Sequence, residues 1–288
     1  MYLMRLVKTI EIGPIIARLQ PVAPAIRKFG RDLLDLALPP RCLHCDDDLT
    51  STSDISLCLK CTQLIAPELP DCCRRCGAIL PEGLEPSERC PSCKGYSLKF
   101  DAVYPLGRYD DALKEVVLKT KRLSSEVLSL TIGRLLATRL RDKIVQFDPQ
   151  AVVPIPMHWA RRLRRGVNSP ELLAECLSKK LGIPVLRTLR RRRYTSPQKD
   201  LLPRERFRNV RGAFAVRRWN EKRLKNARVL LIDDILTTGA TCSEAAKLLK
   251  QAGAAAVAVA VVARADGLPL PAKSQRRSPD FIRINKPR

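Results

Sequence analysis

The sequence predicts an α/β protein, a mostly parallel sheet with helices on both faces, preceded by a small cysteine-rich module. Three observations predict it: apolar runs alternate with helical patterns after residue 99, nine of the 11 cysteines fall between Cys42 and Cys93, and one strand-like run ends in paired acids, a small-residue turn and an amphipathic helix. Alternation of strand and helix is the mark of a parallel sheet covered on both sides. The length of 288 residues fits one ordinary domain and a smaller module.

In chain order, AVYPLGRY from Ala102 reads as a strand, residues 110 to 145 as helices, and AVVPIP from Ala151 as a buried strand. A helix follows from about Pro170, then the strand RVLLIDD from Arg228, a helix from about Ser243 and the apolar run AAAVAVAVVA from Ala254. The expected division is a basic extension over 1–37, a double zinc ribbon over 38–98, the α/β domain over 99–265 and a flexible basic tail over 266–288. Pro14, Pro21 and Pro24 limit any long helix in the extension.

Hydrophobic residues make up 45% of the chain, enough for a core. Fifty-three Lys and Arg against 29 Asp and Glu give a formal charge of +24, which favours nucleic acid, phosphorylated metabolites or an acidic membrane surface as partners. Arg5, Lys8, Glu11, Arg18, Arg27 and Lys28 interrupt the apolar stretches near the start, so no transmembrane segment is expected. The opening MYLMRLVKTI lacks the apolar core and cleavage pattern of a secretory signal, and the expected location is the cytoplasm. Thiols stay reduced there, so clustered cysteines read as metal ligands rather than disulfides.

Four C-x-x-C pairs stand in series: Cys42 with Cys45, Cys58 with Cys61, Cys73 with Cys76, and Cys90 with Cys93. Two thiolates so spaced curl around one ion, and a second pair completes a tetrahedral site. Two structural Zn²⁺ are expected, paired sequentially or with the first pair joined to the third. A site closed by four thiolates has no open position for catalysis. His44 and Cys72 read as bystanders, and Cys176 and Cys242 as packing residues.

The stretch VLLIDDILTTGATCSEAAKLLKQAG, residues 229–253, carries the most chemistry. Asp233 and Asp234 close the strand, where open α/β sheets place ligands, and carboxylates there accept hydrogen bonds from ribose hydroxyls. Thr237, Thr238, Gly239, Ala240 and Thr241 offer N–H groups and hydroxyls to a phosphate, with the following helix aiming its positive end at the same spot. No Lys stands where a Walker A loop requires one, which disfavours nucleoside triphosphate hydrolysis.

Four apolar residues, two acids, two apolar residues and T-T-G-x-T resemble the phosphoribosyl-diphosphate motif of type I phosphoribosyltransferases. Further segments resemble the ComF family, competence-protein-like relatives with a zinc ribbon in front: LPPRCLHC at 38–45, RRCG at 74–77, Lys121, VPIPMHWARRLRRGVN at 153–168, and TSPQKDLLPRERFRNVRGAF at 195–214. The resemblance covers about residues 32–265 and departs from the family pattern after Gly166, where Val167 replaces an aromatic residue and Ser169-Pro170 follow Asn168.

The resemblance implies phosphoribosyl diphosphate bound with Mg²⁺, with Asp233 and Asp234 on the ribose and residues 237–241 on the 5′-phosphate. His158, Arg161, Arg162 and Arg165 would sit in a loop holding the pyrophosphate through charge-assisted hydrogen bonds. Residues 195–209, with Thr195, Gln198, Arg206 and Asn209, would form a mobile lid. The reaction would displace pyrophosphate from C1 of the ribose, with no general base legible and the acceptor open. Two alternatives stand beside it: a single-stranded-DNA-binding accessory of DNA uptake or processing, and a zinc-ribbon scaffold for a helicase. Aromatic residues are only 5% of the chain, so DNA contact is expected to be mainly electrostatic.

Overall fold

Two nine-residue runs, RVLLIDDIL and AVAVAVVAR, form the middle of the sheet because apolar side chains point to both of its faces. A computed structural model describes residues 40–49, 55–81, 90–121, 125–196, 201–217 and 221–265. The expected extension over 1–37 and tail over 266–288 lie outside the described residues.

The elements in chain order are α1 (Leu59–Ile65), β1 (Ala102–Arg108), α2 (Asp111–Lys119), α3 (Glu126–Arg139), α4 (Arg141–Phe147), β2 (Ala151–Pro154), α5 (Trp159–Arg165) and α6 (Ser169–Leu181). They continue with β3 (Leu189–Arg191), α7 (Pro203–Val210), β4 (Phe214–Val216), α8 (Glu221–Leu224), β5 (Arg228–Leu236), α9 (Ala240–Gln251) and β6 (Ala256–Arg264). A parallel sheet runs β1-β6-β5-β2, and β3 pairs antiparallel with β4 in a separate ribbon.

Alternation along β5 and β6 feeds two cores. Val229, Leu231, Val257, Val259 and Val261 pack with Ala245, Ala246 and Leu249 of α9. Leu230, Ile232, Ala258 and Ala260 pack on the opposite face with Ile132, Leu135 and Leu136 of α3 and Leu173 and Leu177 of α6. Helices thus cover both faces, as the sequence predicts.

The cysteine module straddles the β1 edge. Cys42, Cys61 and Ile65 join the α3/α6 core, while Cys73, Cys76, Cys90, Cys93, Leu98 and Phe100 join the α9 core. Its two halves repeat one local fold. The amide of Cys42 donates to the Asp47 carbonyl and that of Cys73 to the Ala78 carbonyl, both at 2.8 Å. The residue after each second cysteine is left-handed: Asp46 at φ 67° and Gly77 at φ 70°. The second half abuts β1 at Gly77, where a Cβ would lie 2.7 Å from Val103 Cγ1, so glycine is required there.

Candidate functional site

Cys42, Cys45, Cys58 and Cys61 converge at one site and Cys73, Cys76, Cys90 and Cys93 at another, so the pairing is sequential. A tetrahedron with Zn–S near 2.3 Å has sulfur–sulfur edges of about 3.8 Å. Cys45–Cys58 lie at 3.7 Å, Cys76–Cys90 at 3.5 Å, Cys90–Cys93 at 3.9 Å and Cys73–Cys93 at 4.0 Å. Both sites therefore fit Zn²⁺ in size and donor set. Backbone N–H groups support the sulfurs, Cys58 N donating to Cys42 Sγ at 3.3 Å and Cys61 N to Cys58 Sγ at 3.4 Å. Burial first, then the neighbouring sulfurs of Cys45, Cys58 and Cys42, pushes the Cys61 thiol well up. Four such thiols ionise together only when a cation shares their charge.

At the C-terminal end of β5 the strand runs past its partner. β2 pairs with β5 as far as Ile232, whereas β6 continues beside it to Leu236. Asp233 and Asp234 fall in this overhang within the strand and, being consecutive, point to opposite faces. Asp233 is buried, with its Oδ1 accepting from Asp234 N at 2.9 Å and its Oδ2 from the Cys242 thiol at 3.6 Å. Burial, with the charge of Asp234 second, pushes the Asp233 carboxyl up to about 8. Cys242 is thus more than packing, since its thiol is a donor to this acid. Asp234 remains about a quarter exposed, faces Lys121 Nζ at 3.4 Å, and borders a small hollow lined by Thr120, Ser129 and Ser169.

Thr237, Thr238 and Gly239 make the turn, and α9 begins at Ala240, three residues before the expected start. Ala240 and Thr241 therefore belong to the first helical turn rather than to a loop. The early start has a backbone cause: Gly239 is the N-cap at φ 77°, and a Cβ there would approach Phe100 Cζ to 3.1 Å. Among the described residues, the amides of Thr237 and Gly239 have no acceptor, and Ala240 N reaches only Thr238 Oγ1 at 3.4 Å. This leaves N–H groups available at the positive end of a twelve-residue helix.

Arg264, unremarked in the sequence, holds the turn from beneath. It ends β6 at 5% exposure and donates Nη1 to the carbonyls of Leu236 at 3.2 Å, Thr237 at 2.8 Å and Ala265. Its Nε donates to Cys76 O at 2.8 Å, linking the second cysteine site to the turn. The one available signal was a lone cation closing an otherwise apolar strand.

The arginine segment is a correction. Residues 159–165 are the short helix α5, not a loop, because His158 caps it by accepting from Ala160 N at 3.3 Å. Arg162 lies 3.2 Å from Glu171, while the side chains of Arg161 and Arg165 lie outside the described residues. His158 also stacks edge-on against Tyr194 at 5.2 Å and lies 5.5 Å from Trp159. Trp159 is 68% exposed and Tyr194 51%, an aromatic surface the composition did not suggest.

The expected lid is partly regular. Pro203–Val210 form α7, with Pro203 in its first turn and Glu205 accepting from Leu202 N at 2.9 Å. Thr195 is buried and accepts from Arg191, Asn209 Nδ2 donates to Ser196 O at 3.0 Å, and Arg206 Nε donates to Leu201 O at 3.0 Å. Gln198 lies outside the described residues. Phe207 of α7 stacks on Tyr96 of the cysteine module at 5.5 Å and 15°.

Among the described residues, no helix is long and apolar enough to cross a membrane. The model of the phosphoribosyl transferase domain matches residues 163–284, and that of the double zinc ribbon domain matches residues 33–94. Competence protein F of Haemophilus influenzae is 31% identical over 78% of this chain and 97% of its own length. The DNA utilization protein YhgH of Salmonella typhi is 29% identical over 78% and 96%, and competence protein ComFC of Bacillus subtilis 29% over 51% and 58%. With the paired cysteine sites, the parallel sheet and these matches, the chain belongs to the competence protein F family, in which a double zinc ribbon precedes a phosphoribosyltransferase-type domain.

Proposed function

We propose that the protein binds phosphoribosyl diphosphate with Mg²⁺ at the β5–α9 turn, in the service of DNA uptake or processing. The observation that carries this reading is that, among the described residues, the N–H groups of Thr237 and Gly239 before α9 have no acceptor, beside an Asp234 carboxylate that is about a quarter exposed and faces Lys121. A phosphate fits the first and ribose hydroxyls the second. Ribose and metal contacts then fall mainly to Asp234, since Asp233 is buried against Cys242. An Asp234 carboxylate suits Mg²⁺, which is held by one or two carboxylates together with ligand phosphates. Bound Mg²⁺ would offset charge growing on the departing pyrophosphate. Lys121 adds a cation on the same side, and Arg162 becomes available to pyrophosphate once it leaves Glu171. Positioning and charge stabilisation would supply the catalysis.

Calorimetry with phosphoribosyl diphosphate and Mg²⁺ tests this on the wild type and on Asp234→Asn. The variant keeps shape but removes charge-assisted acceptors, each about 1.5–3 kcal/mol, so affinity should fall at least about tenfold. No heat from the wild type, or equal affinities, defeats the assignment.

A second reading, a single-stranded-DNA accessory, is favoured by exposed Trp159 and Tyr194 beside Arg162 and by relatives named for competence and DNA utilization. Stacking surfaces flanked by cations suit bases and phosphates without sequence preference.

A further inference from the structure

A cavity of about 460 Å³ lies between the second zinc ribbon, α7 and the β5–α9 turn, within the size range of small-molecule sites. Pro91, Tyr96 and Pro203 give it flat apolar walls, and Ser92 and Thr238 contribute hydroxyls. The stacked Tyr96–Phe207 pair fixes one wall, joining the metal module to the lid helix. Two cations enter it, Arg206 and Arg264. Arg264 is more than nine-tenths buried and spends Nε and Nη1 on carbonyls, while its Nη2 has no partner among the described residues. Among the described residues, Arg206 uses only Nε, on Leu201 O. Among the described residues, the lining contains no Asp, Glu or His.

The part-buried guanidinium of Arg206, with no carboxylate among the described lining residues, suits an anion. The flat walls call for a ring.

We propose that this cavity is the subsite for a second, planar ligand, an aromatic ring bearing a carboxylate whose attacking nitrogen carries no proton. The proposal rests on the phosphoribosyl-diphosphate reading, which makes the neighbouring ligand the acceptor. In the transfer, the C1–O bond to pyrophosphate breaks with its electron pair going to pyrophosphate, and the ring-nitrogen lone pair forms the new bond to C1. No proton has to be removed, in keeping with described lining residues that include no carboxylate or imidazole base. A pyridine carboxylate meets both demands; a neutral ring whose nitrogen must first lose a proton meets neither.

The test uses the full-length zinc-loaded protein and two probes of nearly the same shape, nicotinate and nicotinamide, titrated by calorimetry with and without ribose 5-phosphate and Mg²⁺. Nicotinate should bind at least about tenfold more tightly than the amide. Arg206→Gln should erase that preference, with circular dichroism checking its fold. Equal binding of the two probes, no binding of either, or a preference surviving in Arg206→Gln overturns the subsite. If ribose 5-phosphate binds while nicotinate does not, this inference fails and the donor reading stands. If ribose 5-phosphate and phosphoribosyl diphosphate both fail to bind, the donor reading fails and the acceptor role falls with it.

Discussion

Asp233→Asn should stabilise the protein, and increasingly so as pH rises. Burial and the adjacent Asp234 push the Asp233 carboxyl from the usual 3.8 up to about 8. An acid whose folded-state pKa exceeds its unfolded value costs nothing below the unfolded value. Its cost grows as pH climbs toward the folded one. The window is therefore 3.8 to about 8. At about 1.4 kcal/mol per unit, the cost approaches roughly 5 kcal/mol at pH 8 and roughly 2 at pH 5.5. Asparagine removes that cost but offers one carbonyl where Asp233 serves both Asp234 N–H and the Cys242 thiol. One donor left unmatched returns about 1–3 kcal/mol. The net expectation is a gain of about 3 kcal/mol at pH 8 and near zero at pH 5.5. For a domain of this size that is a rise in Tm of about 6–12 °C at the higher pH. Thermal melts of zinc-loaded wild type and variant at both pH values measure it. A lower Tm at pH 8, or the same shift at both, refutes the claim that Asp233 is an acid held against its ionisation.

Metal analysis should return two zinc per chain, falling to one in Cys93→Ser; each site should contribute on the order of 10 kcal/mol to folding of the module, and protein folded without zinc would contradict both tetrads. Single-stranded DNA should bind weakly, with a log-log salt slope of roughly −0.7 for each phosphate neutralised. Trp159→Ala should weaken that binding by about 1–3 kcal/mol if a base stacks there, and unchanged affinity would remove the aromatic surface from the interface.

Long-range apolar patterning made the sheet legible. Strands β5 and β6 carry continuous apolar runs over 229–232 and 256–263 because both faces are buried there, and each cysteine pair closes a knuckle within its own four residues. Cues were harder to weigh where local signals competed. The start of α9 is capped by a left-handed glycine rather than by Ser, Thr, Asp or Asn, so Ala240 and Thr241 read as loop. In α5 the run of arginines drew attention to anion binding, although His158 was in place to cap a helix. For α7 the signals were present, Pro203 in the first turn and Glu205 reaching back to Leu202 N, and the family resemblance to a flexible lid outweighed them. Which face each acid occupies follows from strand periodicity once β5 extends to Leu236. Ending the strand at Ile232 placed them side by side.

Arg264 had no legible role because all that makes it informative is distant in sequence. A guanidinium at this depth is costly unless its charge is answered. Among the described residues its partners are carbonyls, those of Cys76, Leu236, Thr237 and Ala265, and none is a carboxylate. Carbonyl dipoles satisfy its N–H groups, and its charge is set against the Cys76 sulfur, whose ionised form it favours. The same carbonyls, drawn down onto Arg264, leave the N–H groups of the turn facing the other way. Because one anchor is the carbonyl of Cys76, a zinc ligand, the geometry of the second ribbon and that of the turn are tied through one rigid side chain. The ribbon is also joined to the sheet where Arg74 O accepts from Val103 N at 3.1 Å, covering part of the β1 edge. A metal module fused at this edge thus serves the α/β domain twice: it shields a strand, and it anchors the side chain that holds the turn.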